Sequence, residues 1–175
     1  LKGMLIYAGI GIFIYVTNWL LPYMGTVLGQ GKKEARMYSI EELRIMRNYV
    51  AENLNEACLS VERDEGGHVV YPERDVMQQE VAKAMQGISD EFPRLAGYYT
   101  PMKEAMCSDV LDWMGIGGYT YPYTMEITYN KYVTNLYYPC LYAHEASHHK
   151  GFYKENEANF LSQLALAQSD DPYLR

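Results

Sequence analysis

An uncharged apolar run occupies residues 4 to 24 and reads MLIYAGIGIFIYVTNWLLPYM. About twenty such residues are enough to cross the hydrocarbon core of a bilayer. Trp19 and Tyr23 lie near one end, where aromatic side chains are enriched at membrane interfaces. The pattern therefore predicts a membrane-spanning helix within residues 1–28, although a buried core helix and the apolar part of a signal sequence have a similar composition.

Apolar residues recur at helical spacing in five further segments. Ser39 and Glu42 form a capping box, which opens a helix that runs to about Cys58 and should pack one face on the core. The other helices are expected from Pro72 to about Gly87, from Thr100 to about Met114, from Tyr138 to the break at Gly151, and from near Lys154 to about Ala167.

Residues 119–133, YTYPYTMEITYNKYV, are rich in tyrosine, threonine and β-branched residues and alternate roughly in polarity. Because Pro122 cannot donate to a central ladder, this stretch predicts an edge strand and a hairpin. The expected fold class is mainly α with a small β hairpin or sheet (α+β). The 175 residues, 49% of them hydrophobic, are enough for one core, which we assign to residues 29–175.

Charge and cysteine content exclude two classes of function. The formal net charge is −7 and no cluster of lysine or arginine is present, which argues against a nucleic-acid surface. Cys58, Cys107 and Cys140 are odd in number and widely spaced, so neither a disulfide framework nor a cysteine zinc site is indicated. Because the chain begins at Leu1, we expect it to be part of a longer protein.

The candidate chemistry lies in HEASH, residues 144–148. On a helix, positions i and i+4 share a face, so His144 and His148 can bind one metal ion. Glu145 lies one residue further round and is placed to act as a general base rather than a ligand. The alternative is a polar helix end with solvated histidines that contains the motif by chance.

A third ligand must come from outside the motif. Gly151 ends the helix, and Glu155 and Glu157 follow at the start of the next one. Glu155 and Asn159 are four residues apart on one helical face, which favours Glu155 as the ligand and Asn159 as the hydrogen-bond partner of a histidine ring. Glu157 is the alternative ligand. His149 and His68 are expected to lie outside the site.

Five stretches of the chain carry a family resemblance: VTNWLLPYMG, SIEELRIM, MGIGGYTYPYTMEITYN, HEASHHKGFYKENEANFL and DDPYLR. The chain resembles a group of bacterial integral-membrane proteins that are catalogued as a domain of unknown function and grouped with the zincin-type metallopeptidases. The resemblance covers nearly the whole chain. It implies a polytopic N-terminus, of which residues 1–28 are the last membrane helix, followed by a zincin-like domain on the outer face.

The resemblance also implies roles for individual residues. His144, His148 and Glu155 correspond to the zinc ligands of glutamate-zincins, and Glu145 corresponds to their catalytic base. Asn159 stands where those enzymes have an aspartate. The outer-face location conflicts with the basic residues that follow the apolar run, Lys32, Lys33 and Arg36, because positive charge favours the cytoplasmic side.

The expected function is that of a membrane-anchored zinc metallopeptidase with one Zn²⁺ per chain. It would hydrolyse peptide bonds through a zinc-activated water, with Glu145 as general base. Its expected partners are the lipid bilayer of the cell membrane and a peptide or protein substrate at the cell envelope. Two alternatives are a non-catalytic, zinc-stapled binding module anchored in the membrane and an amidase that acts on cell-wall peptides.

Overall fold

A computed structural model describes residues 2–25 and 37–175. The chain is mostly helical with one small sheet, which confirms the predicted fold class. The elements are α1 Lys2–Tyr15, a π-helical turn Val16–Leu20, α2 Leu21–Met24, α3 Ile40–Ser60, α4 Arg74–Gly87, a 3₁₀ turn Pro93–Leu95, β1 Lys103–Glu104, α5 Ser108–Trp113, β2 Gly118–Thr120, β3 Ile127–Tyr129, α6 Tyr138–His149 and α7 Glu155–Ala167. The predicted boundary at residues 28 and 29 and the basic residues Lys32, Lys33 and Arg36 lie outside the described residues.

The apolar run forms one continuous helix, Lys2–Met24, made of α1, the π turn and α2. Its mean hydropathy reaches 1.8 over 18 residues, and it is long and apolar enough to cross a membrane, as a signal sequence can also be. Pro22 has no N–H to donate to the carbonyl of Asn18, which accounts for the irregular turn at Val16–Leu20. A helix suited to a membrane therefore opens the described chain.

The helix α3 begins with the predicted capping box. The Ser39 hydroxyl accepts a hydrogen bond from the Glu42 N–H at 3.2 Å, and the Glu42 carboxylate accepts one from the Ser39 N–H at 2.9 Å. The expected packing of this helix on the core is wrong, because none of its residues is buried by the rest of the described chain. Helical spacing of apolar residues gives α3 an apolar face but does not ensure a surface to cover it.

The helix predicted from Thr100 to Met114 is wrong over its first half. The chain is extended there and contains β1, and α5 occupies only Ser108–Trp113. Distant groups bind the backbone of this segment: Met102 N–H donates to the Gln78 side chain at 2.8 Å, and Ala105 N–H donates to the Tyr129 carbonyl at 2.9 Å. These long-range hydrogen bonds override the local helical spacing of apolar residues.

The sheet has the strand order β1-β3-β2. β1 runs parallel to β3, and β2 runs antiparallel to β3 with Gly118 opposite Tyr129 and Thr120 opposite Ile127. β2 is an edge strand, so the predicted edge strand and hairpin are confirmed. The helix α6 packs against β2 on one side and against α7 and α4 on others.

Tyr138, the first residue of α6, is fully buried and links three elements of the core. Its hydroxyl accepts a hydrogen bond from Gln78 of α4 at 2.7 Å, while the amide oxygen of Gln78 binds the segment before β1. The buried apolar side chains around it include Met77, Val81, Met85, Leu95, Ile127, Tyr142, Phe152 and Leu161. The core thus fixes α6 on most of its sides.

Gly118 allows β2 to lie close to α6. A Cβ at this position would be 2.7 Å from the Thr128 carbonyl oxygen and 3.2 Å from a Leu141 methyl carbon. We expect Gly118→Ala to lower the free energy of unfolding by about 1–3 kcal/mol, because the backbone must shift to relieve the contact. Gly87→Ala is the control: a Cβ there meets nothing within 4 Å, so it should stabilise the protein by about 0.4–1 kcal/mol. Urea denaturation of both variants measures the change in the free energy of unfolding. Equal changes in the two variants would contradict the close approach of β2 to α6.

Candidate metal centre

The HExxH motif lies inside the protein. α6 is buried over nine of its 12 residues, and Glu145 and His148 are only 5% and 3% exposed. His144 is half-buried at the edge of a cleft. The burial of these side chains contradicts the alternative of a polar helix end with solvated histidines.

Three side chains converge at this point. His144 Nε2 lies 3.1 Å from His148 Nε2, and the Glu155 carboxylate oxygens lie 3.1 Å from His144 Nε2 and 3.4 Å from His148 Nε2. Gly151, with φ of 91°, makes the turn between α6 and α7 that brings Glu155 back to the histidines. The described residues thus place the two predicted histidines and the favoured glutamate together.

The outer nitrogens of both rings are engaged by oxygen acceptors. His148 Nδ1 lies 2.9 Å from the Phe152 carbonyl oxygen, and His144 Nδ1 lies 2.9 Å from Asn159 Oδ1. A carbonyl oxygen can only accept, so a ring that donates from Nδ1 to this oxygen keeps Nε2 as the nitrogen that can bind a metal ion. Two such nitrogens 3.1 Å apart, with the Glu155 carboxylate beside them, could hold a cation.

The separations suit a tetrahedral zinc site. Zn–N and Zn–O bonds of about 2.0–2.1 Å at tetrahedral angles place neighbouring ligand atoms about 3.3–3.4 Å apart. The three observed separations are 3.1, 3.1 and 3.4 Å. Burial, and then the neighbouring His144 ring, lower the pKa of His148, which favours the neutral form that binds metal. The donor set of two imidazoles and one carboxylate therefore fits zinc.

Glu145 is held beside these ligands by β2. The Thr120 hydroxyl donates to Glu145 Oε2 at 2.9 Å and lies 3.1 Å from the Glu145 backbone carbonyl oxygen. Burial raises the pKa of Glu145 to about 7, against the lowering effect of the Thr120 hydrogen bond, and the charge of Glu155 adds to the rise. A carboxyl group with this pKa can exchange a proton near neutral pH.

The cleft over these residues has a volume of about 470 Å³. One wall is β2, and another is one face of α6 together with the start of α7. Hydrogen bonds from Tyr121 to Glu126 and from Asn130 to Gly117 place the odd-numbered residues of this strand toward β3. The backbone groups of Gly118 and Thr120 therefore point toward the outer edge of the sheet.

Glu157, the alternative ligand, is not part of the group that converges on the histidines. It is 7% exposed and lies on the buried side of α7 with Ala158 and Leu161. His149 points elsewhere, with Nδ1 2.9 Å from the Met125 carbonyl oxygen and Nε2 3.1 Å from the Thr100 hydroxyl. The structure thus separates Glu155 from these other candidates.

Sequence reasoning missed two residues of the site. Thr120 binds Glu145 but looks like any β-branched residue of an edge strand, although the adjacent Gly117-Gly118 pair signals a close approach of the backbone. The sequence predicts Trp19 only as an interface aromatic, yet it lines the cleft. Its ring centroid lies 5.9 Å from that of His148.

The raised pKa of Glu145 predicts an effect on stability in metal-free protein. Because the folded pKa is about 7 and the ordinary value is 4.5, wild-type stability should fall as pH rises between these values and then level off. Glu145→Gln cannot ionise, so relative to wild type it should become more stable by up to about 3 kcal/mol between about pH 5 and pH 8. Urea denaturation with a chelator present measures this difference.

The matched control for that measurement is Glu104→Gln, because Glu104 is an exposed residue of β1 outside the cleft. This substitution also removes one negative charge, but from an exposed carboxylate instead of a buried one. A stability difference for Glu145→Gln that does not change with pH, or that changes equally in the control, would contradict the assignment.

Comparison with known proteins places the whole chain in one family. No curated protein matches it, and no solved structure does. A family described as "Protein of unknown function (DUF3810)" matches residues 1–175. The chain therefore belongs to the DUF3810 family.

Proposed function

We propose that the protein is a membrane-anchored, zinc-dependent metallopeptidase with a zincin-like domain. The observation that carries the proposal is the convergence of His144 Nε2, His148 Nε2 and a Glu155 carboxylate oxygen within 4.8 Å of one another. The hydrogen bonds at both outer ring nitrogens support it, because they orient the lone pairs toward a shared ion. A cleft on one side leaves room for substrate.

In this proposal the side chains of the site have separate chemical roles. Bound zinc supplies Lewis acidity, which lowers the pKa of water toward about 7 and polarises a carbonyl group. Glu145 accepts a proton from the attacking water as the water oxygen bonds to the scissile carbonyl carbon. It then returns the proton to the amine nitrogen as the C–N bond breaks. Thr120 orients the Glu145 carboxylate by its hydrogen bond.

A peptide is the substrate class that the cleft favours. The outward backbone groups of Gly118 and Thr120 can pair with an extended chain, which adds to the edge strand. Such pairing would lay the chain along β2, beside His144 and Glu145 in the same cleft. The proposed location is the cell envelope, with the apolar helix Lys2–Met24 in the membrane and the domain on the outer face.

The proposal predicts about one zinc ion per chain in purified protein. His148→Ala and Glu155→Ala should each lose the metal, because removal of one of three ligands weakens binding strongly. Glu157→Gln should keep it, and so should His68→Ala, which alters a histidine outside the ligand group. Elemental mass spectrometry on untagged protein measures the content. Metal that persists in both ligand variants would refute the site.

The proposal also predicts that Glu145→Gln retains zinc but loses about 10²- to 10⁴-fold in kcat for peptide cleavage, since a general base contributes about that factor. Glu104→Gln, on the exposed strand β1, should cleave at the wild-type rate. Hydrolysis of a fluorogenic peptide library measures both. Undiminished cleavage by Glu145→Gln would refute the mechanism, and zinc binding without cleavage by wild type would favour the non-catalytic module.

A further inference from the structure

Trp19 brings the apolar N-terminal helix to the edge of the candidate metal centre. Its indole ring centroid lies 5.9 Å from the His148 ring and 5.1 Å from the Tyr153 ring, which it meets edge-on. Trp19 lines the same cleft as Glu145 and Glu155. One wall of the cleft is therefore supplied by a helix that is apolar enough to cross a membrane.

The position of Trp19 along this helix fixes the level of the cleft. Trp19 lies five residues before the helix end at Met24, or about 7.5 Å along the axis. Tryptophan is enriched at this depth, where hydrocarbon gives way to headgroups. If the helix crosses the bilayer, the cleft opens at the membrane surface rather than far out in water.

The hairpin between β2 and β3 gives a second, independent indication. Its tip packs beside the same helix, with the Tyr123 and Tyr15 ring centroids 6.3 Å apart. Tyr121 and Tyr123 are nearly half exposed there. Residues 118–125, from β2 to the tip, carry no charge, and the first charged side chain after them, Glu126, is paired with Lys103. Tyr121 and Tyr123 face the stretch of the helix that includes Ile10 and Ile14, nearer its middle than Trp19 is. The aromatic, uncharged tip therefore suits the apolar side of the membrane interface, deeper than Trp19.

We propose, on the basis of the metallopeptidase function above, that the substrate is a polypeptide with its own membrane anchor, cut in the segment next to the bilayer. β2 joins the two features, because it lines the cleft at Gly118 and Thr120 and leads directly into the hairpin tip. An extended chain paired along β2 would run between the membrane surface and the metal centre. Trp19 is then a specificity-determining residue, which contacts the substrate where it leaves the bilayer.

Anchoring also explains how such a site can select its substrate. A chain held in the same bilayer as the enzyme is confined near the cleft, which raises its effective concentration. A soluble peptide with the same cleavable sequence lacks this confinement. The selection therefore needs no extended set of side-chain contacts.

The first test measures where Trp19 lies and does not depend on activity. The chain has two tryptophans, so Trp113→Phe leaves Trp19 as the only one. In phosphatidylcholine vesicles, lipids brominated near the headgroup should quench its fluorescence more strongly than lipids brominated near the chain end. Co²⁺ added to metal-stripped protein should quench it as well, because Trp19 lies close to His148.

Two controls make this test decisive. His148→Ala in the Trp113→Phe background should lose the quenching by Co²⁺ and keep the quenching by brominated lipid. Cobalt binding is followed separately by its absorption bands. Quenching by bound Co²⁺ without quenching by either brominated lipid would place the cleft away from the membrane and overturn the inference.

The second test compares one cleavable sequence in two forms, as a soluble peptide and fused beside a transmembrane anchor in the vesicles. We expect kcat/KM to be at least about tenfold higher for the anchored form. Trp19→Ala should reduce this ratio several-fold, whereas Trp113→Ala, which alters an exposed residue outside the cleft, should leave it unchanged.

The outcomes separate this inference from the proposed function. Equal cleavage of both forms, still dependent on zinc and on Glu145, would overturn the inference and leave the metallopeptidase intact. Failure to cleave either form would count against the metallopeptidase, and the fluorescence measurement would still decide whether the centre lies at the membrane surface.

Discussion

Every polar group on a buried helix needs a partner, and this requirement organises the structure around α6. An unpaired buried carboxylate or imidazole would cost several kcal/mol. Glu145 finds its partner in Thr120 of β2, and His148 finds its partner in the Phe152 carbonyl just after the Gly151 turn. The position of β2 and the turn between α6 and α7 therefore each supply a hydrogen-bond partner for a buried polar group of α6.

The same burial gives these groups complementary protonation states. It lowers the pKa of His148 and raises that of Glu145, because in each case it disfavours the charged form. A neutral imidazole with a free lone pair and a carboxyl group poised near neutrality then lie in one cleft. Glu155 differs, because its side chain is 72% exposed. In the proposed function this exposed carboxylate supplies the negative charge that a dication needs.

Local patterns in the sequence predicted the parts of the site that depend on local geometry. His144 and His148 are one helical turn apart, and Gly151 permits the positive φ that returns the chain, so their approach to Glu155 follows from short-range rules. The hydrogen bond of Asn159 to the His144 ring has the geometry predicted from its four-residue spacing to Glu155. The capping box of α3 was also correct for this reason.

Contacts between distant segments could not be predicted in this way. Met102 is extended because Gln78, 24 residues earlier, binds its N–H, and Thr120 reaches Glu145 across a separation of 25 residues. Neither pairing leaves a periodic pattern in the sequence. The prediction for α3 failed in the opposite way. Its apolar residues do recur at helical spacing, but none of them is buried by the described chain.

The N-terminal helix is held to the domain by few contacts, and this gives the membrane a structural role in the proposed arrangement. No residue of Lys2–Met24 is buried by the described chain. Trp19 and Tyr15 touch the domain through aromatic pairs of about 0.5–1.5 kcal/mol each, too little to fix a 23-residue helix on their own. A bilayer that holds both this helix and the uncharged hairpin tip would restrict their relative motion. Trp19 would then stay at the cleft because the membrane, more than the protein interior, keeps it there.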